Sequence, residues 1–545
     1  MSKSLFFTKF CVIIITRMGK IARYLNQLVV GNVFDAPEIL ETYSTDCSIL
    51  KIKPKAVAIP ESTEDIQKLV RFCYQMALKE MPTPITVRGS GLDETGADLG
   101  NGLIISTEKI NRLLESDRRE RLVRVQAGIT LKELNTALSV NGLTIPIRGH
   151  DAETIGGLIS NCPADAYSGK YGGIMNYVER LEVVLSNGEI LQTGRMNGRA
   201  LGKKTRDKTL EGSIYRKVSQ LTRANKSLIR EVQKAPRSLH GYTQIAKVSH
   251  GNTVDLMPLF FGAQGTLGVI TEVIFRAVPI NHKIGRVVAT FSDFKMAQRF
   301  LDLTNSMKPC ELNLCDVNIL KTAEQTGKKF GIKTEKMNDG FVVFAKFDRK
   351  PRTYLRKIAS IKKVLPKDTQ LVIESAKTKS ALDEFENSLI SFLNQVRAGE
   401  RVPLLTDFYL PPQNIAKFLD DLQILRENLG LDLALFGSYS AANYSLRPKF
   451  KVDEDDFGKK ALTFLRTGAF IVKREGGSIT GGSPEGRVKS LVTNADMPED
   501  KRALYQEIKD IFDRHNIMNP AVKLGADTKF TLGHIRTTGI NKIVI

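Results

Sequence analysis

The chain has 545 residues, of which 42% are hydrophobic and 26% charged, and this composition excludes a wholly disordered polypeptide. Its length predicts two large domains, because one hydrophobic core rarely serves so many residues. The net charge of +21 attracts anions in general, but the basic residues are spread along the chain and no nucleic-acid-binding signature is present. We therefore expect no sequence-specific nucleic-acid partner.

The start of the chain, MSKSLFFTKFCVIIITRMGK, holds only a short apolar run, with Lys9 just upstream of it. A membrane span needs about 20 apolar residues and a signal peptide needs a small-residue cleavage site, so we predict neither. Residues 1–48 are predicted to form a lead segment, and either Met1 or Met18 is compatible with its start. A peripheral contact with anionic lipid is the alternative interpretation.

The cysteines are sparse and form no C-x-x-C pair, which fits neither a disulfide framework nor an iron–sulfur ligand set. A reducing, cytoplasmic location is therefore expected. The six cysteines are Cys11, Cys47, Cys73, Cys162, Cys310 and Cys315.

The first half of the chain is predicted to alternate short strands and helices. In PKAVAIPESTEDIQKLVRFCYQMALKE a β-rich run precedes helical spacing, and Ser62 or Thr63 is the predicted cap. LVRVQAGITLKELNTAL repeats this order with Thr130 as the cap. In RLEVVLSNGEIL, Asn187 and Gly188 predict a β-hairpin.

A domain boundary is predicted near residue 280, because Pro279 closes an apolar strand that follows a glycine turn. This gives a first domain at residues 49–280 and a second at residues 281–500, in which helical segments alternate with strands. The remaining residues, 501–545, begin with an amphipathic helix that Asn519-Pro520 stops. We expect this last segment to return to the first domain.

Three glycine-bearing loops in the first half share one physical property. They are RGSGLDETG at 88–96, TIGGLISNCPADAYSGKYGG at 154–173 and GAQGTLGVI at 262–270. Glycine lets backbone N–H groups approach an anion or a flat ligand closely. The first loop is not a dinucleotide-binding fingerprint, because its G-x-G lacks a glycine at the required third position and no amphipathic helix begins immediately after it. The three loops in order nevertheless predict one binding site.

These segments resemble the FAD-binding domain of the p-cresol methylhydroxylase and vanillyl-alcohol oxidase superfamily, and NYVERLEVVLSNGEIL and FFGAQGTLGVITEVIFRAVP extend the resemblance. In the second half, LLTDFYLPPQNIAKFLDDL, FGSYSAANYSLRP, GGSITGGSPEGRVKS and IKDIFDRHNIMNPAVKLG look like the FAD-linked 2-hydroxy-acid dehydrogenases. That group contains D-lactate dehydrogenase and the glycolate oxidase flavoprotein subunit. The resemblance implies an α+β fold, with an FAD-binding domain of two α/β subdomains and a cap domain whose antiparallel sheet is covered by helices.

The resemblance also implies how the loops bind FAD: the first wraps the pyrophosphate, the second follows the ribityl and flavin portion, and the third meets the adenine side. The carboxylates of Asp93 and Glu94 would repel the pyrophosphate unless they point away from it. The implied FAD-binding residues are Arg88, Gly89, Ser90, Gly91, Leu92, Gly96, Thr154, Ile155, Gly156, Gly157, Ser160, Asn161, Tyr171, Gly172, Gly265, Thr266, Gly268, Val269, Ile270 and Asn519.

Some relatives attach FAD covalently to a histidine in the first loop, but in this chain Leu92 follows Gly91. His150 is the only histidine close to the loops in sequence, and we favour a turn or pocket role for it over an attachment role. Non-covalent FAD is therefore expected.

The stretch FGSYSAANYSLRP departs from its relatives at the positions that carry chemistry. The 2-hydroxy-acid dehydrogenases have GH-x-GDGN-x-H here and EHG-x-GR later, and these histidines and the glutamate bind a divalent metal and take the hydroxyl proton. This chain has Ser438 and Ser445 for the two histidines and Gly482-Ser483 for the Glu-His pair. Serine is a poor metal ligand and no base without help. We expect no metal, and the sequence identifies no catalytic residue.

Arg447 and Arg487 remain, and either is suited to hold a substrate carboxylate or phosphate, with a structural salt bridge as the alternative for each. We expect an FAD-dependent oxidoreductase that transfers a hydride from a hydroxylated, anionic small molecule to flavin N5. Its electron acceptor is a separate, unidentified partner, because the chain has no iron–sulfur ligand set. The alternative is a flavin-binding, non-catalytic or regulatory homologue.

Overall fold

The structure, a computed structural model, describes residues 19–536 except residues 282, 319, 321–339, 350, 364, 366–368, 387–400 and 451–455. The first part of the chain builds a four-stranded sheet in the order β1-β2-β4-β3, in which β2, β4 and β3 are parallel. Its strands are β1 Asn32–Phe34, β2 Ala56–Ile59, β3 Ile85–Arg88 and β4 Leu103–Ser106, and its helices are α1 Lys20–Leu28, α2 Pro37–Thr42 and α3 Thr63–Leu78.

The predicted lead segment does not stand apart from this sheet. β1 lies within it and pairs antiparallel with β2. Residues 1–18, which include both candidate start residues, lie outside the described residues. Ser62 caps α3 as predicted, by accepting a hydrogen bond from the Asp65 N–H at 3.1 Å.

A second sheet follows, in the order β5-β6-β13-β8-β9, and all its pairings are antiparallel. The predicted hairpin at Asn187-Gly188 is confirmed, since it joins β8 and β9. The predicted cap Thr130 is confirmed too, and it forms a capping box with Glu133. The strands of this sheet are β5 Leu113–Asp117, β6 Leu122–Gln126, β8 Val178–Val184, β9 Ile190–Gln192 and β13 Val269–Arg276. Two small separate sheets accompany it: one has β10 Met196–Asn197, β11 Ser249–His250 and β12 Thr253–Val254, and the other has β7 Leu143–Thr144 and β14 Val278–Pro279.

Six helices pack around this second sheet or extend from it. They are α4 Leu131–Ser139, α5 Ile155–Asn161, α6 Ser168–Tyr171, α7 Gly198–Lys204, α8 Leu210–Ala224 and α9 Lys226–Lys234. The inner face of the sheet is apolar, because alternate residues of β6 and β13 such as Val123, Val125, Val273 and Phe275 are buried. The two sheets with their helices give the two subdomains that the resemblance implies.

The second domain is a seven-stranded antiparallel sheet in the order β18-β15-β17-β16-β20-β21-β19. Its strands are β15 Gly285–Phe291, β16 Glu311–Asp316, β17 Phe341–Phe347, β18 Leu371–Ile373, β19 Leu405–Tyr409, β20 Leu433–Ser438 and β21 Asn443–Pro448. The helices that cover it are α10 Phe294–Asn305, α11 Pro351–Lys362, α12 Ile415–Leu429 and α13 Phe457–Arg474. The predicted α+β fold with a helix-covered antiparallel sheet is confirmed.

The end of the chain returns to the first domain through α14 Gly486–Thr493, α15 Glu499–Phe512 and α16 Thr528–Gly533. Phe512 of α15 packs edge-on against Phe260, with ring centroids 5.8 Å apart. The Asn519 N–H donates to the Ile85 carbonyl at 2.8 Å. Among the residues that the structure describes, no helix is both long and apolar enough to cross a membrane.

Candidate functional site

A cavity of about 340 Å³ lies where the three glycine loops of the first domain meet β20 and β21 of the second. Arg447 and Leu314 line it from the sheet side. Twelve of the predicted FAD-binding residues line it from the loop side: Gly89, Ser90, Gly91, Leu92, Thr154, Gly156, Gly157, Ser160, Asn161, Gly265, Gly268 and Ile270. Three loops far apart in sequence therefore share one wall.

Other predicted cofactor residues lie behind this wall. Arg88 donates to the Thr45 carbonyl at 2.9 Å and lies over the Tyr43 ring. Thr266 donates to the Ala263 carbonyl at 2.6 Å. The predicted residues that do not line the cavity are Arg88, Gly96, Ile155, Tyr171, Gly172, Thr266, Val269 and Asn519.

Asn519 acts as a clamp between the loops rather than as a lining residue. Its side-chain amide donates to the Ala97 and Gln264 carbonyls at 2.7 Å each, and it accepts from Thr86 at 3.1 Å. Its backbone φ of +42° lies in the left-handed region, which asparagine tolerates better than most residues. Asn519 therefore fixes the spacing between the first and third loops.

Arg487, which was predicted to hold the substrate, lies elsewhere. It is buried and donates to the Leu99 carbonyl at 3.0 Å and to the Pro520 carbonyl at 3.1 Å. It does not line the cavity, so the structure gives it a role in holding the chain together.

The first loop and the start of α5 are in direct contact. Thr154 caps α5 by accepting from the Gly157 N–H at 3.3 Å. A Cβ atom on Gly89 would lie only 2.2 Å from the Thr154 hydroxyl oxygen, so a larger residue here would force Thr154 or the loop to move. The contact aligns the backbones of the first two loops along the cavity.

Asp93 lines the cavity, and its carboxylate is also hydrogen-bonded within its own loop. Its carboxylate accepts from the Thr95 N–H at 2.9 Å, from the Ala97 N–H at 2.7 Å and from the Asn161 amide at 3.2 Å. Burial raises the pKa of Asp93 to about 6, and the carboxylate of Asp98 adds to this shift. Near neutral pH the loop therefore carries a charge that is readily lost on mild acidification.

Glu94 forms an ion pair with Arg447, whose Nη2 donates to its Oε1 at 2.5 Å. The pair joins the first loop to β21, and Arg447 is only 2% exposed. The predicted salt bridge at Arg447 is therefore present. Its partner, Glu94, is one of the two carboxylates that were expected to repel the FAD pyrophosphate.

The register of β20 and β21 explains the stretch FGSYSAANYSLRP. Phe436 pairs with Ser445 and Ser438 pairs with Asn443, so these side chains share the face that lines the cavity. The opposite face, which includes Leu435, belongs to the hydrophobic core. The stretch is a half-buried hairpin whose polar side forms the sheet wall of the site.

Three serines stand in the cavity lining at positions where the 2-hydroxy-acid dehydrogenases carry histidine: Ser438, Ser445 and Ser483. Ser445 accepts from the Asp407 N–H at 3.0 Å. Ser438 accepts from the Ala441 N–H at 3.3 Å. Ser483 differs from the other two, because a lysine side chain donates to it.

That lysine is Lys489, which sequence reasoning missed. It is the fourth residue of α14 with an exposed fraction of 0%, and its Nζ donates to the Ser483 hydroxyl at 2.9 Å. Burial lowers the pKa of Lys489 to about 8. The only sequence signal was its place six residues after Ser483 in GGSPEGRVK, and nothing in that pattern marks a lysine as buried.

Comparison with known families agrees with this geometry. Residues 54–194 match the FAD binding domain family, and residues 281–522 match the family of C-terminal domains of FAD linked oxidases. The chain belongs to the FAD-linked oxidases. The first match contains two of the three glycine loops, and the second contains β20, β21 and Lys489.

Curated relatives of this FAD-linked oxidase include a D-2-hydroxyglutarate dehydrogenase of Pseudomonas putida, 25% identical over 88% of the chain. The chain spans about half the length of that relative, 49%. It is also similar to the glycolate oxidase subunit GlcD of Bacillus subtilis, 24% identical over 87% of this chain and 90% of the relative. The chain is therefore related to 2-hydroxy-acid dehydrogenases at about 25% identity.

Among solved structures, the FAD-linked oxidase is similar to the 4-ethylphenol oxidase from Gulosibacter chungangensis. The TM-score is 0.62, with 16% identity over 91% of this chain and 95% of that one. This likeness shows a shared fold.

The cavity wall of this FAD-linked oxidase fits FAD. The loops supply glycine backbone at Gly89, Gly156 and Gly265, where an anion or a flat ring is able to approach closely. Asp93 and Glu94 have partners within the protein, which lessens the repulsion that they would exert on a pyrophosphate.

Proposed function

We propose that the protein catalyses FAD-dependent oxidation of a small hydroxylated carboxylate. When bound, FAD supplies an acceptor for the hydride of the substrate C–H bond at flavin N5. The two family matches and the 2-hydroxy-acid dehydrogenase relatives support the reaction class. The residues of the cavity support the anionic substrate.

The observation that carries the proposal is the state of Arg447. Nη2 of its guanidinium is bonded to Glu94, while Nε and Nη1 have no hydrogen-bond partner among the described residues. A buried N–H donor without a partner is unfavourable, and a substrate carboxylate offers two oxygen acceptors in a geometry that suits a guanidinium. Arg447 therefore binds the acid group, and the hydroxylated carbon lies between it and the flavin loops.

The three serines shape the rest of the proposal. Hydroxyl groups at 438, 445 and 483 are weak ligands for a divalent metal, so we propose that the reaction proceeds without one. Leu92 has no atom able to form a bond to flavin, so we propose that FAD is held non-covalently. A separate electron acceptor then reoxidises it.

The test begins with the visible spectrum of the purified protein before and after acid precipitation. Flavin released to the supernatant supports non-covalent FAD. The protein is then mixed anaerobically with D-2-hydroxyglutarate, D-lactate, glycolate and an uncharged secondary alcohol, and bleaching of the flavin band is followed. Reduction by a hydroxy acid but not by the uncharged alcohol is expected. A protein that binds FAD but is reduced by none of them would instead be the non-catalytic homologue.

Two variants test the role of Arg447. The pair Arg447→Met with Glu94→Gln removes the guanidinium without leaving a buried carboxylate alone, and we expect its KM for the hydroxy acid to rise about 100-fold. Glu94→Gln alone retains the guanidinium and is the control, with a KM no higher than that of the wild type. An unchanged KM in the double variant would contradict the assignment.

A further inference from the structure

We propose that Ser483 and Lys489 form a proton relay, in which Ser483 takes the substrate hydroxyl proton as its own proton passes to Lys489. This inference rests on the proposed function. It supplies a base in place of the histidines that the 2-hydroxy-acid dehydrogenases have and this chain lacks. Ser483 is the catalytic residue of the relay because it lines the cavity, whereas Lys489 acts through it.

The side chains of Ser483 and Lys489 are in direct hydrogen-bond contact. Lys489 Nζ lies 2.9 Å from the Ser483 hydroxyl oxygen and 3.5 Å from the Ser483 carbonyl oxygen. Lys489 is fully buried and does not line the cavity itself. A proton that leaves a ligand in the cavity therefore reaches Lys489 by way of Ser483.

Lys489 also differs from the other buried lysines of the described residues, each of which has a carboxylate partner. Those pairs are Lys346–Glu386, Lys509–Asp513 and Lys523–Glu485, with nitrogen–oxygen distances of 2.6, 2.7 and 2.8 Å. In the part of the chain that the structure describes, no carboxylate lies within ion-pair distance of Lys489. A buried ammonium without a counter-ion is unfavourable, so burial makes the neutral amine of this lysine easier to form than that of an exposed lysine.

Four carboxylates face Lys489 from the surrounding elements, and each has another partner. They are Asp407 on β19, Asp93 and Glu94 in the first loop, and Glu485 just before α14. They oppose the effect of burial, yet the net result places the pKa of Lys489 at about 8. The side chain is thus a neutral amine, able to accept a proton, in a fraction of molecules that grows as the pH rises through about 8.

The step balances as follows. The substrate O–H bond breaks and its proton goes to the Ser483 oxygen, while the Ser483 O–H bond breaks and that proton goes to the neutral amine of Lys489. The C–H bond breaks and its electron pair leaves with the hydrogen as a hydride to FAD, the oxidant named in the proposed function. The substrate becomes a carbonyl compound, and Lys489 becomes an ammonium ion.

The experiment uses the FAD-loaded protein and its variants Ser483→Ala, Lys489→Met and the double variant. Flavin bleaching by D-2-hydroxyglutarate, D-lactate and glycolate is measured anaerobically from about pH 6 to about pH 10. The wild-type rate is expected to rise to a plateau with a midpoint near pH 8. In each single variant the rate of flavin reduction should fall about 100-fold or more, and the pH dependence with its midpoint should disappear. The rate of the double variant should fall no further than that of either single variant.

Ser490→Ala is the matched control. Ser490 follows Lys489 on α14, and its hydroxyl donates to the Arg487 carbonyl at 2.9 Å without lining the cavity. Its rate and pH midpoint should equal those of the wild type. A wild-type pH profile in Lys489→Met or in Ser483→Ala would overturn the relay. Failure of every probe to bleach the wild-type flavin would instead overturn the proposed function, and the relay with it.

A readout without substrate separates these cases further. Because the pKa of Lys489 is lowered from 10.5 to about 8, the unfolded state binds more protons between these values, and stability rises with pH across that window. Between pH 8 and pH 10.5, the midpoint temperature of unfolding of the wild type should therefore rise relative to that of Lys489→Met. Parallel curves would show that folding does not lower the pKa of Lys489 and would overturn the relay even if the flavin is reducible.

Discussion

The ion pair of Glu94 with Arg447 makes two buried charges depend on each other. Their side chains are 10% and 2% exposed, so neither charge is well solvated if the other is removed. Removing one partner of a buried pair is far more harmful than replacing both.

We therefore predict that Arg447→Met destabilises the protein by about 3–5 kcal/mol, while the double variant with Glu94→Gln regains most of the loss. Denaturant unfolding of the FAD-free protein measures both values without a contribution from bound ligand. Equal losses in the single and the double variant would contradict this account of the pair.

Asp93 gives the site a second pH dependence, on the acid side. Its pKa of about 6 means that the carboxyl group becomes neutral on mild acidification and no longer repels a pyrophosphate. FAD affinity should increase about tenfold between about pH 7 and about pH 5, which corresponds to about 1.4 kcal/mol. Equilibrium titration of the FAD-free protein with FAD measures the change.

Asp93→Asn should bind FAD at neutral pH as tightly as the wild type does in acid, with a flat pH profile. A slope that persists in this variant would assign the effect to another carboxyl group, such as Asp98 or Asp46, which have oxygen atoms within 4.8 Å of Asp93.

The residue types of the site were predictable, but their partners were not. Serines at the histidine positions and carboxylates in the first loop are visible in the sequence, whereas Glu94 meets Arg447 across 353 residues. The lowered pKa of Lys489 depends on its complete burial within a short helix, and local patterns do not encode such burial. The absence of the histidine base was therefore predictable from the sequence, whereas the buried lysine near Ser483 was not.

At the scale of elements, the contact between the first loop and α5 controls how the FAD loops align. Gly89→Ala should force the loop away from Thr154, lower stability by about 1–3 kcal/mol and reduce the FAD bound per chain. Thermal unfolding and flavin absorbance per chain measure both effects.

Gly173→Ala is the control for that substitution, because a Cβ at Gly173 meets nothing within 4 Å and its φ of −82° suits alanine. Its stability should change by no more than about 0.5 kcal/mol. Equal effects at both glycines would show that the contact with Thr154 is unimportant.

Elements with local signals were predicted well. The caps Ser62 and Thr130 and the hairpin at Asn187-Gly188 follow from side-chain chemistry within a few residues. The pairing of β20 with β16, and hence the face of FGSYSAANYSLRP that meets the cavity, depends on strands more than a hundred residues apart. The alternation of residues in that stretch could not show which face of it lines the cavity.

For the whole molecule, the cavity exists only while the two domains stay together. Besides Arg447, the contact includes Asp348 of the second domain, which binds the Lys170 ammonium and the Tyr171 hydroxyl of the first. Tyr171 was predicted to follow the flavin; in the structure it does not line the cavity, and its hydroxyl joins the two domains.

Asp348→Ala should remove both of these bonds, lower the thermal midpoint by the equivalent of about 1–3 kcal/mol and make bound flavin more accessible to iodide quenching. Asp496→Ala removes an exposed pair with Lys473 at 3.5 Å and should change stability by less than about 0.5 kcal/mol. Unchanged quenching in Asp348→Ala would show that other contacts hold the domains together.

The position of Asn519 has a consequence for how the protein is made. Domains generally fold from the N-terminus as the chain leaves the ribosome. Thr86, Ala97 and Gln264 bond to Asn519, so the loops made early obtain this partner only after the whole second domain has been translated. FAD therefore binds late in synthesis. A nascent chain arrested before Asn519 should carry no bound flavin and show no flavin absorbance.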